Sequence, residues 1–114
     1  MLGAEAPVVD QRLYDTHFNE RYLGHPDEAP AASDRSSLIA DAQSLRCPLM
    51  LIHGLADDNV VAAHTLRLST ALLASGRPHT VLPLAGITHM AAREDVAENI
   101  LHLEASFLIR NLAR

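Results

Sequence analysis

Two neighbouring aspartates and one distant histidine are the groups in this sequence best suited to transfer protons. Asp57 and Asp58 follow a short apolar run, and His89 follows a second one. A carboxylate bonded to one imidazole nitrogen fixes the tautomer of the ring and stabilises the imidazolium, while the other nitrogen takes a proton from a nucleophile. The residue types therefore predict an Asp–His pair, with Asp57 or Asp58 as the acid.

The two apolar runs have the character of strands in a parallel sheet. Residues 48–54 form a brief continuous apolar segment ending in glycine, which is typical of a strand buried on both faces. Residues 80–82 predict a second strand, and Pro83 places it at a sheet edge or ends it there, because proline cannot donate to a ladder. Since ligands bind beyond the carboxyl ends of parallel strands, we expect the loops after both strands to lie side by side.

The rest of the chain predicts helices around that sheet. Residues 34–45 form a short helix with Asp34 or Ser36 as its N-cap, residues 62–75 form a second, and residues 93–112 form a third with apolar positions 96, 100, 103 and 107. The order of strand, helix, strand and helix predicts an α/β fold with a few-stranded, mostly parallel sheet.

The segment before these elements is less regular. The apolar run at residues 6–9 predicts a strand or a strand end. Residues 13–23 carry Tyr14, Phe18 and Tyr22 at spacings of four, which predicts three rings on one helical face. Such a stripe belongs to a core more often than to a binding pocket.

Composition excludes several classes of function. The 114 residues suffice for one small domain, and 48% hydrophobic with 20% charged residues is typical of a globular chain. A net charge of -5 argues against nucleic-acid binding, and no apolar run is long enough for a membrane span. Cys47 is the single cysteine, so no internal disulfide is possible and we expect a cytoplasmic protein. None of the 7 histidines has His-x-x-x-His spacing, so we expect no metal and no cofactor.

Spacing alone leaves a second interpretation of the acidic pair open. Asp57 and Asp58 could cap a helix, and His89 could be an ordinary surface residue. Chain order is compatible with the first interpretation, because in α/β-hydrolases the nucleophilic serine precedes an aspartate and then a histidine, each of the latter after a late strand. The residues alone leave the two interpretations about even.

Three separated motifs, in matching order, resemble the prolyl oligopeptidase family in its dipeptidyl-peptidase-IV-like branch. Residues 51–60, Leu-Ile-His-Gly-Leu-Ala-Asp-Asp-Asn-Val, are similar to the family's aspartate-bearing segment. Residues 14–24 are similar to its Tyr-Asp and Glu-Arg-Tyr-Met/Leu-Gly segment, and Thr88-His89 matches the position of its histidine. The resemblance spans nearly the whole chain.

This resemblance implies that residues 1–114 are the C-terminal part of an α/β-hydrolase catalytic domain. Asp57 would be the triad acid and His89 the general base. Tyr14 and Val60 would line the pocket for the residue before the cleaved bond, together with Phe18, which stands where the family usually has tyrosine. Asn59 would bind a substrate carbonyl. An aromatic, apolar pocket suits proline, which has no N–H to satisfy.

The sequence departs from the family in two ways. None of its serines lies in a Gly-x-Ser-x-Gly motif, so the nucleophile elbow is absent from the 114 residues. The resemblance places the family's propeller earlier still, outside these residues, and we expect this chain alone to be inert. Met90 replaces a glycine that the family often has after the histidine.

The predicted function is that of a dipeptidyl or prolyl aminopeptidase-like fragment that supplies aspartate and histidine to a Ser-Asp-His triad. The expected partners are a peptide substrate and, by analogy, a second copy through residues 93–112; no nucleic acid or membrane is expected. Two alternatives remain open: an acyl-peptide hydrolase or esterase of the same fold, and a non-catalytic remnant that associates through an exposed sheet edge.

Overall fold

Three parallel strands form the centre of the computed structural model, which describes residues 2–113 apart from the side chains of residues 16–18 and 20. The strands β1 (Leu2–Glu5), β2 (Leu49–Gly54) and β3 (His79–Leu84) lie in the order β1-β2-β3. Leu49 stands opposite both Leu2 and His79 in the register. All three carboxyl ends therefore meet at one edge of the sheet.

Between residues 2 and 113, four α-helices accompany the sheet, and two of them cover its faces. They are α1 (Thr16–Leu23), α2 (Pro30–Ser36), α3 (Ala63–Ala74) and α4 (Glu94–Leu112), with 3-10 turns at Gln11–Leu13 and Ala42–Ser44. Alternate β2 side chains enter two separate cores. Leu49 and Leu51 pack with Leu68 and Leu72 of α3, and the other face carries Met50, Ile52, Ile100 and Phe107.

The central strand confirms the prediction made from its apolar run. All six residues of β2 are buried, as a strand covered by helices on both faces requires. β3 lies at the edge of the described sheet, in agreement with Pro83, although it is longer than the predicted residues 80–82. The predictions for α3 and α4 are confirmed to within about one residue at each end, a normal uncertainty for helix ends.

The N-terminal predictions need correction. The strand is Leu2–Glu5, and residues 6–9 follow it. The predicted helix over residues 13–23 begins only at Thr16, because the Asp10 side chain accepts a hydrogen bond from the Arg12 N–H and caps a 3-10 turn, after which Tyr14 is extended. Tyr14 thus precedes the helix, so the three rings do not share one helical face. Tyr22 is 67% exposed, and the side chain of Phe18 lies outside the described residues.

The predicted helix over residues 34–45 is also wrong. α2 begins at Pro30, where the missing proline N–H costs nothing, and Ala29 rather than Asp34 or Ser36 precedes it as the N-cap. The helix ends at Ser36 because Ser37 is extended, and the Leu38 N–H then donates to the Val9 carbonyl oxygen at 2.8 Å. A contact distant in sequence therefore breaks the predicted helix.

The outer side of α4 is partly apolar. Leu101, Ile109 and Leu112 are 64%, 67% and 71% exposed, and Leu103 of the predicted stripe is 47% exposed. Across residues 2–113, none of the helices is both long enough and apolar enough to span a bilayer.

Candidate active site

The loops that follow β2 and β3 are joined by their main chains at the carboxyl edge of the sheet. The Leu55 N–H donates to the Leu84 carbonyl at 3.0 Å, and the Ala56 N–H donates to the Ile87 carbonyl at 3.0 Å. These bonds continue the β2–β3 pairing beyond the last strand residues. The expectation that the two loops lie side by side is confirmed.

This juxtaposition brings Asp57 and His89 into direct contact. His89 Nδ1 lies 2.9 Å from Asp57 Oδ2. A carboxylate oxygen only accepts, so Nδ1 carries the hydrogen and, in the neutral ring, Nε2 is left with its lone pair. The ring is therefore oriented to take a proton at Nε2.

The other carboxylate oxygen holds Asp57 in its own loop. Asp57 Oδ1 accepts hydrogen bonds from the backbone N–H groups of Asn59 at 3.0 Å and Val60 at 2.8 Å. Asp57 is only 5% exposed, whereas Asp58 is exposed. Neither aspartate caps α3, whose N-cap is Ala62 without a side-chain hydrogen bond. Geometry therefore identifies Asp57 as the partner of His89.

Opposing effects set the pKa of Asp57. Burial acts to raise the pKa, but the hydrogen bond from His89 and those from the Val60 and Asn59 N–H groups outweigh it, so the pKa lies below the ordinary 3.8. Asp57 is consequently ionised at neutral pH. The carboxylate bonded to Nδ1 also holds the ring in one tautomer and one orientation.

Acid should remove the stability that this carboxylate contributes. Because the folded-state pKa of Asp57 is below 3.8, its contribution is fully present above that value and is lost as the pH falls through the folded-state pKa. We expect the difference in unfolding free energy between wild type and Asp57→Asn to shrink between about pH 5 and about pH 3. Urea unfolding at each pH measures it; a difference that stays constant would contradict the lowered pKa.

The free side of His89 faces open space. Its side chain is 42% exposed. It borders a cavity of about 380 Å³ that is also lined by Glu5 and Ala6 after β1, by Met90 and Ala91, and by α4 residues including Ile100. The cavity leaves room next to the imidazole for a reacting group that comes from another segment.

The remaining predicted site residues are less closely grouped. Val60 is 3% exposed, and its N–H supports Asp57. Asn59 is exposed on the same loop, and Tyr14 is half-buried after the 3-10 turn that follows β1. Phe18 was predicted to line the same pocket, but its side chain lies outside the described residues.

Two residues beside the acid loop escaped the sequence analysis. His53 is the fifth residue of β2 and is 1% exposed. Its Nε2 lies 2.6 Å from the Val60 carbonyl oxygen, and its Nδ1 lies 2.7 Å from Thr65 Oγ1. The alternation along β2 could have revealed the direction of His53, since it shares the face of Leu49 and Leu51.

Close packing of Gly54 is the other feature that the sequence did not reveal. A Cβ atom there would come within 3.0 Å of the carbonyl oxygens of Ile87 and Thr88.

No group of three histidine, cysteine, aspartate or glutamate side chains within the described residues could hold a metal ion.

A family model and several known proteins match this chain. A model of the prolyl oligopeptidase family matches residues 1–114. Dipeptidyl peptidase 8 of Homo sapiens is 38% identical over 79 residues, which is 67% of this chain and 9% of that protein. A probable dipeptidyl-aminopeptidase B of Pyrenophora tritici-repentis is 43% identical over 75 residues, which is 64% of this chain and 8% of that protein. The matched region is thus a small part of these relatives.

Solved structures show the same likeness. The crystal structure of Porphyromonas gingivalis dipeptidyl peptidase 4 superposes with a TM-score of 0.92 at 29% identity, covering 96% of this chain and 16% of that one. A putative dipeptidyl aminopeptidase IV from Bacteroides ovatus gives a TM-score of 0.81 at 27% identity, covering 88% and 15%. The α/β fold is thereby confirmed. The chain belongs to the prolyl oligopeptidase family of serine peptidases, in its dipeptidyl-peptidase-IV-like branch.

Proposed function

We propose that this chain supplies the acid and the base of a dipeptidyl peptidase whose serine lies in a separate segment. The contact of 2.9 Å between Asp57 Oδ2 and His89 Nδ1 carries this proposal. The term "complete enzyme" denotes this chain together with the segment that bears the serine. The names of the relatives support a peptidase that releases dipeptides.

The chemistry follows the order of a serine hydrolase. His89 Nε2 takes the proton of the serine hydroxyl while the serine oxygen attacks the scissile carbonyl carbon, and Asp57 stabilises the imidazolium. The imidazolium then gives this proton to the leaving amine as the peptide C–N bond breaks. A water molecule then attacks the acyl-enzyme by the same proton-transfer steps through His89, and the dipeptide is released.

The free edge of β1 is a suitable place for the serine-bearing strand. Within the described residues β1 pairs only with β2, so its other edge offers unpaired N–H and C=O groups. A parallel strand added there would end at the same sheet edge as Asp57 and His89. Its following turn would enter the cavity beside His89.

In this proposal the substrate-binding residues are Tyr14, Phe18, Asn59 and Val60. Tyr14 follows the segment that leaves the carboxyl end of β1, and Asn59 and Val60 belong to the acid loop. Both segments therefore approach the substrate from the edge that carries the Asp57–His89 pair. An aromatic pocket there would accept proline in the position before the cleaved bond.

Activity should require both parts of the complete enzyme. We expect the chain alone to give no turnover of a chromogenic Gly-Pro substrate and no labelling by a fluorophosphonate probe, because it lacks the activated serine. Adding the serine-bearing segment should produce both, and His89→Ala in the same mixture should abolish turnover. Labelling of the chain alone would contradict the division of the triad between two segments.

The free β1 edge also favours a second candidate, a non-catalytic association module. The same experiment separates the two functions. An association module would bind its partner segment equally well with His89→Ala and would show no turnover in any mixture.

A further inference from the structure

The first turn of α3 carries two adjacent polar side chains that are fully buried. His64 and Thr65 are 0% and 1% exposed. Burying polar groups costs free energy unless they find hydrogen-bond partners. His64 and Thr65 each have hydrogen-bond partners, and these differ. Their partners lie in the two separate segments that the proposed site uses.

Thr65 is connected to the acid loop through His53. The Val60 carbonyl oxygen only accepts, so His53 Nε2 carries the hydrogen and donates across 2.6 Å. His53 Nδ1 then accepts from the Thr65 hydroxyl across 2.7 Å. Val60 therefore links the two side chains: its carbonyl oxygen accepts from His53, and its backbone N–H donates to Asp57 Oδ1. His53 Nε2 also lies 3.7 Å from Asp57 Oδ2, so the ring packs beside the carboxylate.

His64 is connected to the chain that leaves β1. Its Nδ1 lies 3.2 Å from the Val9 nitrogen and 3.5 Å from the Asp10 nitrogen, and it accepts from these N–H groups. Asp10 in turn caps the 3-10 turn Gln11–Leu13, after which comes Tyr14. His64 therefore fixes the path of the chain just before the proposed substrate pocket.

The neutral form of His64 is the one that can make these bonds. A protonated ring would present a hydrogen at Nδ1 to the two N–H groups. Burial, the proximity of His53 and that of Arg67 lower the pKa of His64, and they outweigh the Leu13 carbonyl and Asp10, which raise it. Within the described part of the chain, His64 Nε2 makes no hydrogen bond, since the Leu13 carbonyl that acts on the ring lies outside hydrogen-bond geometry. The acceptor role of Nδ1 is therefore the hydrogen bonding that this side chain provides.

We propose that His64 and Thr65 are positioning residues with separate targets: Thr65, through His53, sets the loop that presents Asp57 to His89, and His64 sets the segment that carries Tyr14. This inference rests on the proposed function. Displacing the acid loop disturbs the proton transfer, which lowers kcat. Displacing the Tyr14 segment weakens contact with the substrate, which raises KM.

Paired substitutions in the complete enzyme test this division. Thr65→Val, which removes the hydroxyl, should lower kcat on the order of tenfold to a hundredfold, with KM within about twofold. Thr65→Ser keeps a hydroxyl and should restore kcat. His64→Ala should raise KM about tenfold with kcat within about twofold, and His64→Asn, whose carboxamide oxygen lies near the position of Nδ1, should restore KM.

A hydroxyl elsewhere on α3 provides the matched control. The exposed Thr70 donates its hydroxyl hydrogen to the Leu66 carbonyl at 2.9 Å, so Thr70→Val should leave kcat and KM unchanged. If Thr65→Val and His64→Ala change kcat and KM in the same proportion, or if Ser and Asn do not restore them, the division is refuted.

Backbone amide exchange separates this inference from the proposed function. Thr65→Val should speed exchange of the Asn59 and Val60 amides about tenfold without affecting Val9, and His64→Ala should speed exchange at Val9 and Asp10 but not at Val60. This measurement needs no turnover. An enzyme without peptidase activity would refute the proposed function, whereas exchange that rises equally at both segments would refute the positioning roles. If either variant unfolds, the same comparison on Thr65→Ser and His64→Asn should give wild-type protection at both segments, and lost protection there would refute the roles.

Discussion

Replacing Asp57 by asparagine in the complete enzyme should lower kcat by roughly 10⁴-fold, the size of effect seen when the acid of a serine triad is neutralised. Asparagine keeps an oxygen that can accept from the Asn59 and Val60 N–H groups, so the loop should keep its shape. Its amide group would then face His89 Nδ1 and donate to it. The ring would be forced into the tautomer with hydrogen on Nε2, which cannot take the serine proton.

Asp58→Ala is the matched control for this prediction. Asp58 is exposed on the same loop, and the carboxylate that contacts His89 belongs to Asp57. We expect kcat and kcat/KM of Asp58→Ala to stay within about twofold of wild type, since surface changes away from a specific contact have small effects. Steady-state kinetics on a Gly-Pro substrate measure both variants. A large loss for Asp58→Ala with activity retained in Asp57→Asn would reassign the acid.

The Asp57–His89 contact could be predicted because it depends on topology. Parallel strands end at one edge, so two short loops that follow neighbouring strands must meet. The sequence alone left Asp57 and Asp58 as alternatives, because the choice depends on which carboxylate turns inward. In the structure Asp57 turns inward, because its Oδ1 accepts two N–H groups of its own loop while its Oδ2 meets His89.

The wrong helix predictions have a common physical cause. Periodicity describes one segment at a time, whereas the chain before Thr16 and after Ser36 is fixed by contacts between segments. Leu38 donates to the Val9 carbonyl, and His64 accepts from Val9 and Asp10. The start of α2 at Pro30 was accessible to sequence reasoning, since proline is favoured at the first helical position, but the helix was predicted to begin only at residue 34.

The contacts around His53 and Gly54 lie beyond what spacing can predict. The alternation of β2 predicts the direction of the His53 side chain. It does not predict that a threonine hydroxyl of α3 lies at hydrogen-bond distance from it. Similarly, a glycine at the end of a strand is typical of many turns. Only the structure reveals that the chain of the histidine loop passes directly over it.

Gly54→Ala should therefore damage both stability and activity. The added methyl group would come within 3.0 Å of the carbonyl oxygens of Ile87 and Thr88, and backbone atoms cannot swing aside as a flexible side chain can. Relief requires the turn before His89 to move away from the acid loop. We expect a loss of about 1–3 kcal/mol in the free energy of unfolding, typical of overpacking, and a fall in kcat of about a hundredfold, since misplacement by 1 Å can cost that much.

Gly3→Ala separates this steric effect from the general consequence of replacing a glycine. Gly3 lies in β1, and a Cβ atom there would meet no other atom within 4 Å. The unfolding free energy of the Gly3→Ala variant, measured in urea, should stay within about 0.5 kcal/mol of wild type. If Gly54→Ala were as stable and as active as wild type, the turn at residues 87–88 would have to yield without moving His89. The 2.9 Å contact with Asp57 would then be maintained by the two side chains themselves rather than by the close passage of the two loops.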